Sequence, residues 1–195
     1  MLHSIYYKIS ALRYRFFLRK MGKNCEFRFG ERFIGGKYMS FDDHVVLSTG
    51  AVFAVYPTFG GKDNPVKDDP NGGIIFGKNV SANRNLTIYC ASRVEIEDDV
   101  MMGSGILITD NDHGSDPTAH DYRCQPLITK PVKIGRGCWI GERATILSGV
   151  EVGERSIIAA GAVVTKSIPP YSIAAGVPAR VIKRWDAETQ EWKKA

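Results

Sequence analysis

The chain has 195 residues, of which 44% are hydrophobic and 24% charged, proportions ordinary for one soluble domain large enough to bury a sizeable core. Its net charge of +5 is concentrated at one end: six of its 26 Lys and Arg residues lie within positions 1–25, which hold no acid, leaving 20 basic against 21 acidic residues elsewhere. The basicity belongs to an N-terminal arm, which argues against a general nucleic-acid partner.

In chain order, LHSIYYKISALRYRFFLRK (2–20) sets Leu2, Ile5, Ile9, Leu12 and Phe16 at helical spacing with cations between them. The spacing predicts a short amphipathic basic helix within an arm of residues 1–22, ended by Gly22. Such an arm packs on the body of the domain or on a neighbouring subunit, or docks peripherally on an anionic membrane. Lys8, Arg13 and Arg15 interrupt its apolar stretch, so it does not read as a signal peptide, and no apolar run reaches membrane-spanning length. The four cysteines, Cys25, Cys90, Cys124 and Cys138, lie far apart without a CxxC pair. They predict no disulfide framework and a reducing cytoplasm, with a peripheral position at the inner face of the cytoplasmic membrane as the alternative if the arm docks there.

A periodic signal begins near Cys25. FGERFI (29–34) is one six-residue unit, and Phe41, Leu47 and Phe53 keep the period, with aromatic residues in aliphatic slots that predict a wider or looser first coil. Residues 57–73 are polar and turn-rich, which predicts a loop leaving the body. The period resumes with FGKNVS (76–81) and ANRNLT (82–87), gains two residues, and continues through IEDDVM (96–101) and MGSGIL (102–107). A second, longer excursion covers 109–131, and functional residues concentrate on such loops. From Val132 to Ile168 the repeat is strict: Ile134, Ile140, Ile146, Val152, Ile158 and Val164 recur every sixth position, each preceded by a small or branched residue two places earlier. Neither a helix nor a plain strand has that period; short strands joined by tight corners and stacked as a parallel β-helix do. Pro169 and Pro170 end the strands, SIAAGVPARVIK (172–183) closes the solenoid, and the charged tail 184–195 is expected to form a short capping helix.

The stretch from Trp139 to Lys183, with IAAGAVVTKSIPPYSIAAGVPARVIK, resembles the hexapeptide-repeat acyltransferases and most of all the bacterial sugar O-acetyltransferases. The resemblance implies an all-β, left-handed parallel β-helix over residues 23–183, built of three hexapeptides per coil, and a homotrimer with active sites in grooves between adjacent subunits. It also implies acetyl-CoA as donor. Its first coils look closer to enzymes of capsule, exopolysaccharide or O-antigen biosynthesis than to maltose- or galactoside-type relatives.

His113, in DNDHGSDP, leads the candidates for chemistry. A sugar hydroxyl is barely ionised at neutral pH, and imidazole can take its proton and return it to a leaving thiolate. The family's catalytic histidine is followed by glycine or proline, and His113-Gly114 matches. Asp110, which is also a candidate acceptor contact, and Asp112 either orient that ring or form turns. ANRNL (82–86) resembles the family's A-N-x-N-L motif, which implies acceptor contact at Asn85 and more weakly at Asn83; a corner asparagine in left-handed conformation is the alternative. By the same resemblance Trp139, Gly141, Glu142, Ala160 and Gly161 line the donor's pantetheine arm, with the Glu142 N–H near the thioester oxygen. Thr165 and Lys166 stand near the nucleotide end, and Arg180 and Lys183 meet the phosphates. Corner geometry for the small residues and a solvated face for the cations explain the same pattern. A metal site built on His113 and His120 lacks a third histidine in a ligand-like pattern, so no metal is expected. Alternatives in function are a non-catalytic trimeric scaffold, or acyl transfer to an amino sugar or amino acid.

Overall fold

A computed structural model describes residues 12–195 and consists of short strands in three parallel sheets that form the faces of a triangular prism. Face one runs through Lys20–Met21, Met39–Phe41, Gly73–Phe76, Arg93–Ile96, Val132–Ile134 and Glu151–Val152. Face two runs through Glu26–Phe27, Val46–Leu47, Ser81–Ala82, Met101–Met102, Trp139–Ile140, Ile157–Ile158 and Ser172–Ala175. Face three runs through Arg32–Ile34, Val52–Val55, Thr87–Cys90, Leu107–Thr109, Thr145–Ile146 and Val163–Val164. This is the predicted left-handed parallel β-helix.

The period of six has a local cause. Each two-residue strand turns one side chain inward and one outward, and the inward residues of successive coils pair directly, as Met102, Ile140, Ile158 and Ala174 do on face two. Each corner then needs a backbone that bends sharply. At the corner between faces two and three, Gly30, Gly50, Asn85, Gly105, Arg143 and Gly161 all have positive φ, between 56° and 84°. At the corner between faces one and two, Asn24, His44, Asn79, Asp99, Gly137, Arg155 and Tyr171 do the same. The left-handed region favours glycine, with Asn and Asp next. The third corner, between faces three and one, takes all the length variation: the 3-10 turn Gly36–Tyr38 and both long excursions leave the prism there.

Four expectations change. The first coils are not loose: Phe27, Phe41, Phe53 and Phe76 are buried, with Phe41 stacked on Phe76 at 5.0 Å and 19°, Phe33 on Phe53 at 5.3 Å and 13°, and Phe27 edge-on to Phe41 at 5.1 Å. Flat rings fill the prism at strand spacing as aliphatic side chains do. The two-residue surplus between Ile88 and Ile96 lengthens two strands, Thr87–Cys90 and Arg93–Ile96, around a tight turn. The prism begins earlier than Cys25, because Lys20–Met21 already pairs with Ser40–Phe41 while Tyr14 packs on Phe33 at 4.9 Å. Of the predicted N-terminal helix, residues 1–11 lie outside the described residues, and residues 13–19 form turns and bends.

The capping helix at 184–195 is replaced by a β-hairpin. Strand Arg180–Asp186 pairs antiparallel with Ser172–Ala175, and Glu191–Lys194 pairs antiparallel with it in turn. The Asp186 carboxylate accepts from the Glu188 and Thr189 N–H groups and pairs with Lys193; the lysine and those amides hold its pKa down at about 2. Trp185 and Trp192 meet across the hairpin at 5.4 Å. An open sheet edge to pair with, together with a cross-strand aromatic pair, outweighs the helix preference of the tail.

Candidate active site

Part of the set expected to hold the donor comes together on face two. Asn83, Trp139, Gly141, Glu142 and Ala160 line one groove of about 500 Å³, whose remaining walls include Met101, Gly103 and Ile157. Outward-facing residues here stack in one column, Met101, Trp139, Ile157 and Ile173, and Lys183 pairs with Ile173 beyond them. Lys194 pairs with Lys183 in the last strand. From Trp139 to Lys183 the column covers three strand spacings, or about 14 Å. An apolar track ending in cations fits an extended arm that carries phosphates at its far end. Met101 and Ile157 are lining positions that motif matching passed over; outward apolar residues at the same phase of successive repeats are their signal.

The small residues of this region have structural work as well. A Cβ at Gly141 would lie 2.5 Å from the Ala160 nitrogen, so this glycine lets the next coil approach. Gly161, at φ +70°, has open space beside it. Asn85 occupies the left-handed slot of the same corner, and its Oδ1 lies 2.3 Å from where a Cβ on Gly50 would stand. Corner geometry therefore accounts for Asn85 without a ligand. It also lines a shallower cavity with Arg84, Ser104, Glu142 and Arg143, next to the donor groove. Arg180 is exposed on the strand that carries Lys183.

His113 lies elsewhere. It ends the strand Asn111–His113, which pairs antiparallel with Leu127–Thr129 to form the stem of the second excursion. This stem leaves the three–one corner, whereas the donor groove reaches the two–three corner. Along face three these corners are separated by a strand of three to four residues, roughly 10–13 Å. Thr165 and Lys166 follow Val163–Val164 and so share the corner of His113, not that of the groove. Within one chain, then, the expected catalytic base and the groove with Trp139, Gly141 and Glu142 sit on different edges of the prism.

Around His113 the surroundings are well defined. Phe59, from the first excursion, places its ring 5.1 Å from the imidazole at 61°. Sequence reading missed this residue, although the Gly60-Gly61 pair after it is a hairpin signal. Asp112 accepts a hydrogen bond from Ser148 Oγ. Strand alternation sends Asp112 and His113 to opposite sides of the stem, so Asp112 ties the stem to the next coil and does not orient the ring. Asp110 is fully buried, and its carboxylate accepts from the Ala91 and Ser92 N–H groups, both at 2.7 Å, and from Asn111 Nδ2 at 2.9 Å. These bonds lock the preceding corner and the foot of the stem. Among the described residues, no three or more His, Cys, Asp and Glu side chains gather as a metal-binding group.

A prism with an apolar, cation-ended groove and a histidine on an excursion loop defines the class of left-handed β-helix acyltransferases. The family of bacterial hexapeptide transferases, with six repeats, matches residues 131–166. WbbJ of Escherichia coli K12, provisionally named a lipopolysaccharide biosynthesis O-acetyl transferase, is 38% identical over 133 residues, 64% of this chain and 67% of that protein. The galactoside O-acetyltransferase of the same organism is 39% identical over 120 residues, 61% of this chain and 58% of its own length. A galactoside acetyltransferase solved in complex with coenzyme A superposes with a TM-score of 0.62 at 26% identity, covering 93% of this chain and 72% of that one. The chain belongs to the hexapeptide-repeat acetyltransferase family.

The cysteines give this site no nucleophile. All four are free, and Cys25, Cys90 and Cys138 are buried. Burial pushes the Cys138 thiol up to about 11 and the Cys90 thiol well above its ordinary value, so both stay protonated at neutral pH. Titration of the native protein with a thiol-reactive disulfide near neutral pH should therefore label Cys124 rapidly and the other three only on denaturation. Rapid labelling of Cys90 or Cys138 would contradict this account.

Proposed function

We propose that this chain is an acetyl-CoA-dependent O-acetyltransferase that modifies a sugar hydroxyl during surface-polysaccharide biosynthesis, with His113 as general base. The imidazole takes the hydroxyl proton as the oxygen attacks the acetyl carbonyl. A C–O bond forms, the C–S bond breaks, and the imidazolium returns the proton to the leaving thiolate. The Glu142 N–H faces the charge that develops on the carbonyl oxygen. The column from Trp139 to Ile173 takes the donor's pantetheine arm, and Arg180, Lys183 and Lys194 meet its phosphates. The names of the relatives support sugar and lipopolysaccharide acceptors.

The observation that carries the reading is the separation of His113 from the donor groove on two prism edges. A base and a thioester must come within hydrogen-bond reach of one hydroxyl. A neighbouring copy that sets its three–one corner against this chain's face two supplies that proximity. The proposed assembly is accordingly a homotrimer, with each site shared by two subunits. His113→Ala should lower kcat on the order of 10²–10⁴-fold while leaving the KM for acetyl-CoA close to wild type, measured by thiol release. Full activity in that variant would remove the mechanism.

The proposed location is the cytoplasm, with peripheral contact between the N-terminal arm and an anionic membrane as a second reading. Phe16 favours it, being 98% exposed beside Arg15, because an apolar anchor next to a cation suits a lipid interface. Among the described residues no helix is long and apolar enough to cross a membrane. Phe16→Asp in the full chain should reduce co-sedimentation with vesicles containing anionic lipid; unchanged partitioning would exclude the contact.

A further inference from the structure

Both long excursions leave the same corner, and they meet over the tight turn at Ala91 and Ser92. The first begins after Val52–Val55 and forms a small hairpin, Thr58–Phe59 against Lys62–Asp63. Its foot is pinned: buried Asn64 donates from its backbone N–H to the Pro57 carbonyl at 2.9 Å and from Nδ2 to the Tyr56 carbonyl at 2.8 Å. Val66, also buried, donates its N–H to the Ala91 carbonyl at 3.1 Å. In the second excursion, buried Gln125 bonds both the N–H and the carbonyl of Asp116 at 3.0 Å. The tips touch where a Cβ on Gly60 would stand 3.4 Å from the Cys124 carbonyl oxygen. Phe59 is thus held in place by anchors on its own hairpin, and its ring is not part of the prism core.

The chemistry of that ring is specific. It is partly exposed, and at 61° to the imidazole the two rings meet edge-on and are not stacked face to face. A pyranose presents hydroxyls around its rim and C–H groups on its faces. An aromatic face is electron-rich and apolar, so it packs on those C–H groups and leaves the hydroxyls to polar partners. We infer that Phe59 is the platform of the acceptor subsite, and that the acceptor class is a pyranoside stacked on this ring with one hydroxyl directed at His113. The inference rests on the reading of His113 as the base. Serving only to orient the imidazole is the competing role for Phe59, and it has a different kinetic signature.

The test compares wild type with Phe59→Ala, Phe59→Leu, Phe59→Tyr and His113→Ala, each checked for an unchanged thermal midpoint. Acetyl-CoA consumption is followed with methyl β-galactopyranoside and methyl α-glucopyranoside as probes, and with water alone. Phe59→Ala and Phe59→Leu should raise the KM for the pyranosides about 5- to 10-fold. The KM for acetyl-CoA should stay within twofold, pyranoside transfer should fall by more than hydrolysis by water, and the conservative Phe59→Tyr should restore the pyranoside KM. Absence of transfer to either pyranoside by the wild type, or an equal loss of pyranoside transfer and hydrolysis in Phe59→Ala and Phe59→Leu, would overturn the platform. Full turnover in His113→Ala would overturn the underlying reading instead, whereas an inactive His113→Ala beside an unchanged pyranoside KM in Phe59→Ala would sink the platform alone.

Discussion

The close stacking of one coil's backbone on the next is the constraint on which the rest of this protein depends. Strands in a sheet lie about 4.8 Å apart, and at some corner positions even a single methyl group is too much. Gly141 meets Ala160 with no room for a Cβ, and two of the three corners repeat a left-handed residue coil after coil. These regular corners cannot absorb an insertion without breaking register. Length can change only at the third corner, where the prism tolerates an excursion provided its feet are tied back. Asp110 supplies one such tie, taking the Ala91 and Ser92 N–H groups and, through its carbonyl, the Lys130 N–H at 2.8 Å. The placement of the functional loops follows from where the scaffold can spare residues.

This division explains what was legible beforehand. The strict repeat from Val132 to Ile168 encodes its own fold, because phase, small residues and aliphatic ladders are local patterns that stacking makes global. The aromatic coils were harder to read: Phe41 and Phe53 keep the period, but only the packed stack of rings shows that they fill the prism as tightly as isoleucine does. The tail misled for a physical reason, since a stretch of helix-forming residues such as DAETQE (186–191) gives no hint that an unpaired strand, Ser172–Ala175, awaits a partner. At the site, single residues could be matched to motifs, but contacts could not. Nothing in the linear order indicates that Phe59 and His113, 54 positions apart, share a ring contact, or that Asp110 points into the scaffold while its neighbour begins the stem.

Chemistry and architecture meet in the distribution of groups over two edges. The outward column on face two is apolar and ends in lysines, while the corner that carries His113 is polar, loop-built and lined by aromatic residues. On the proposed reading each edge alone holds half of the site. In the proposed assembly, a site shared between copies joins a rigid track to an adaptable loop-built wall, so that acceptor choice can change in the loops without disturbing the stacking.

The most direct test of the shared site uses mixed assemblies. His113→Ala removes the base from one edge, and Ala160→Trp fills the groove on the other. Each variant alone should be inactive, yet co-expressed and co-purified assemblies should recover roughly a quarter of wild-type activity, the fraction of interfaces that random assortment leaves intact on both sides. A mixture no more active than either parent would contradict a site formed between subunits.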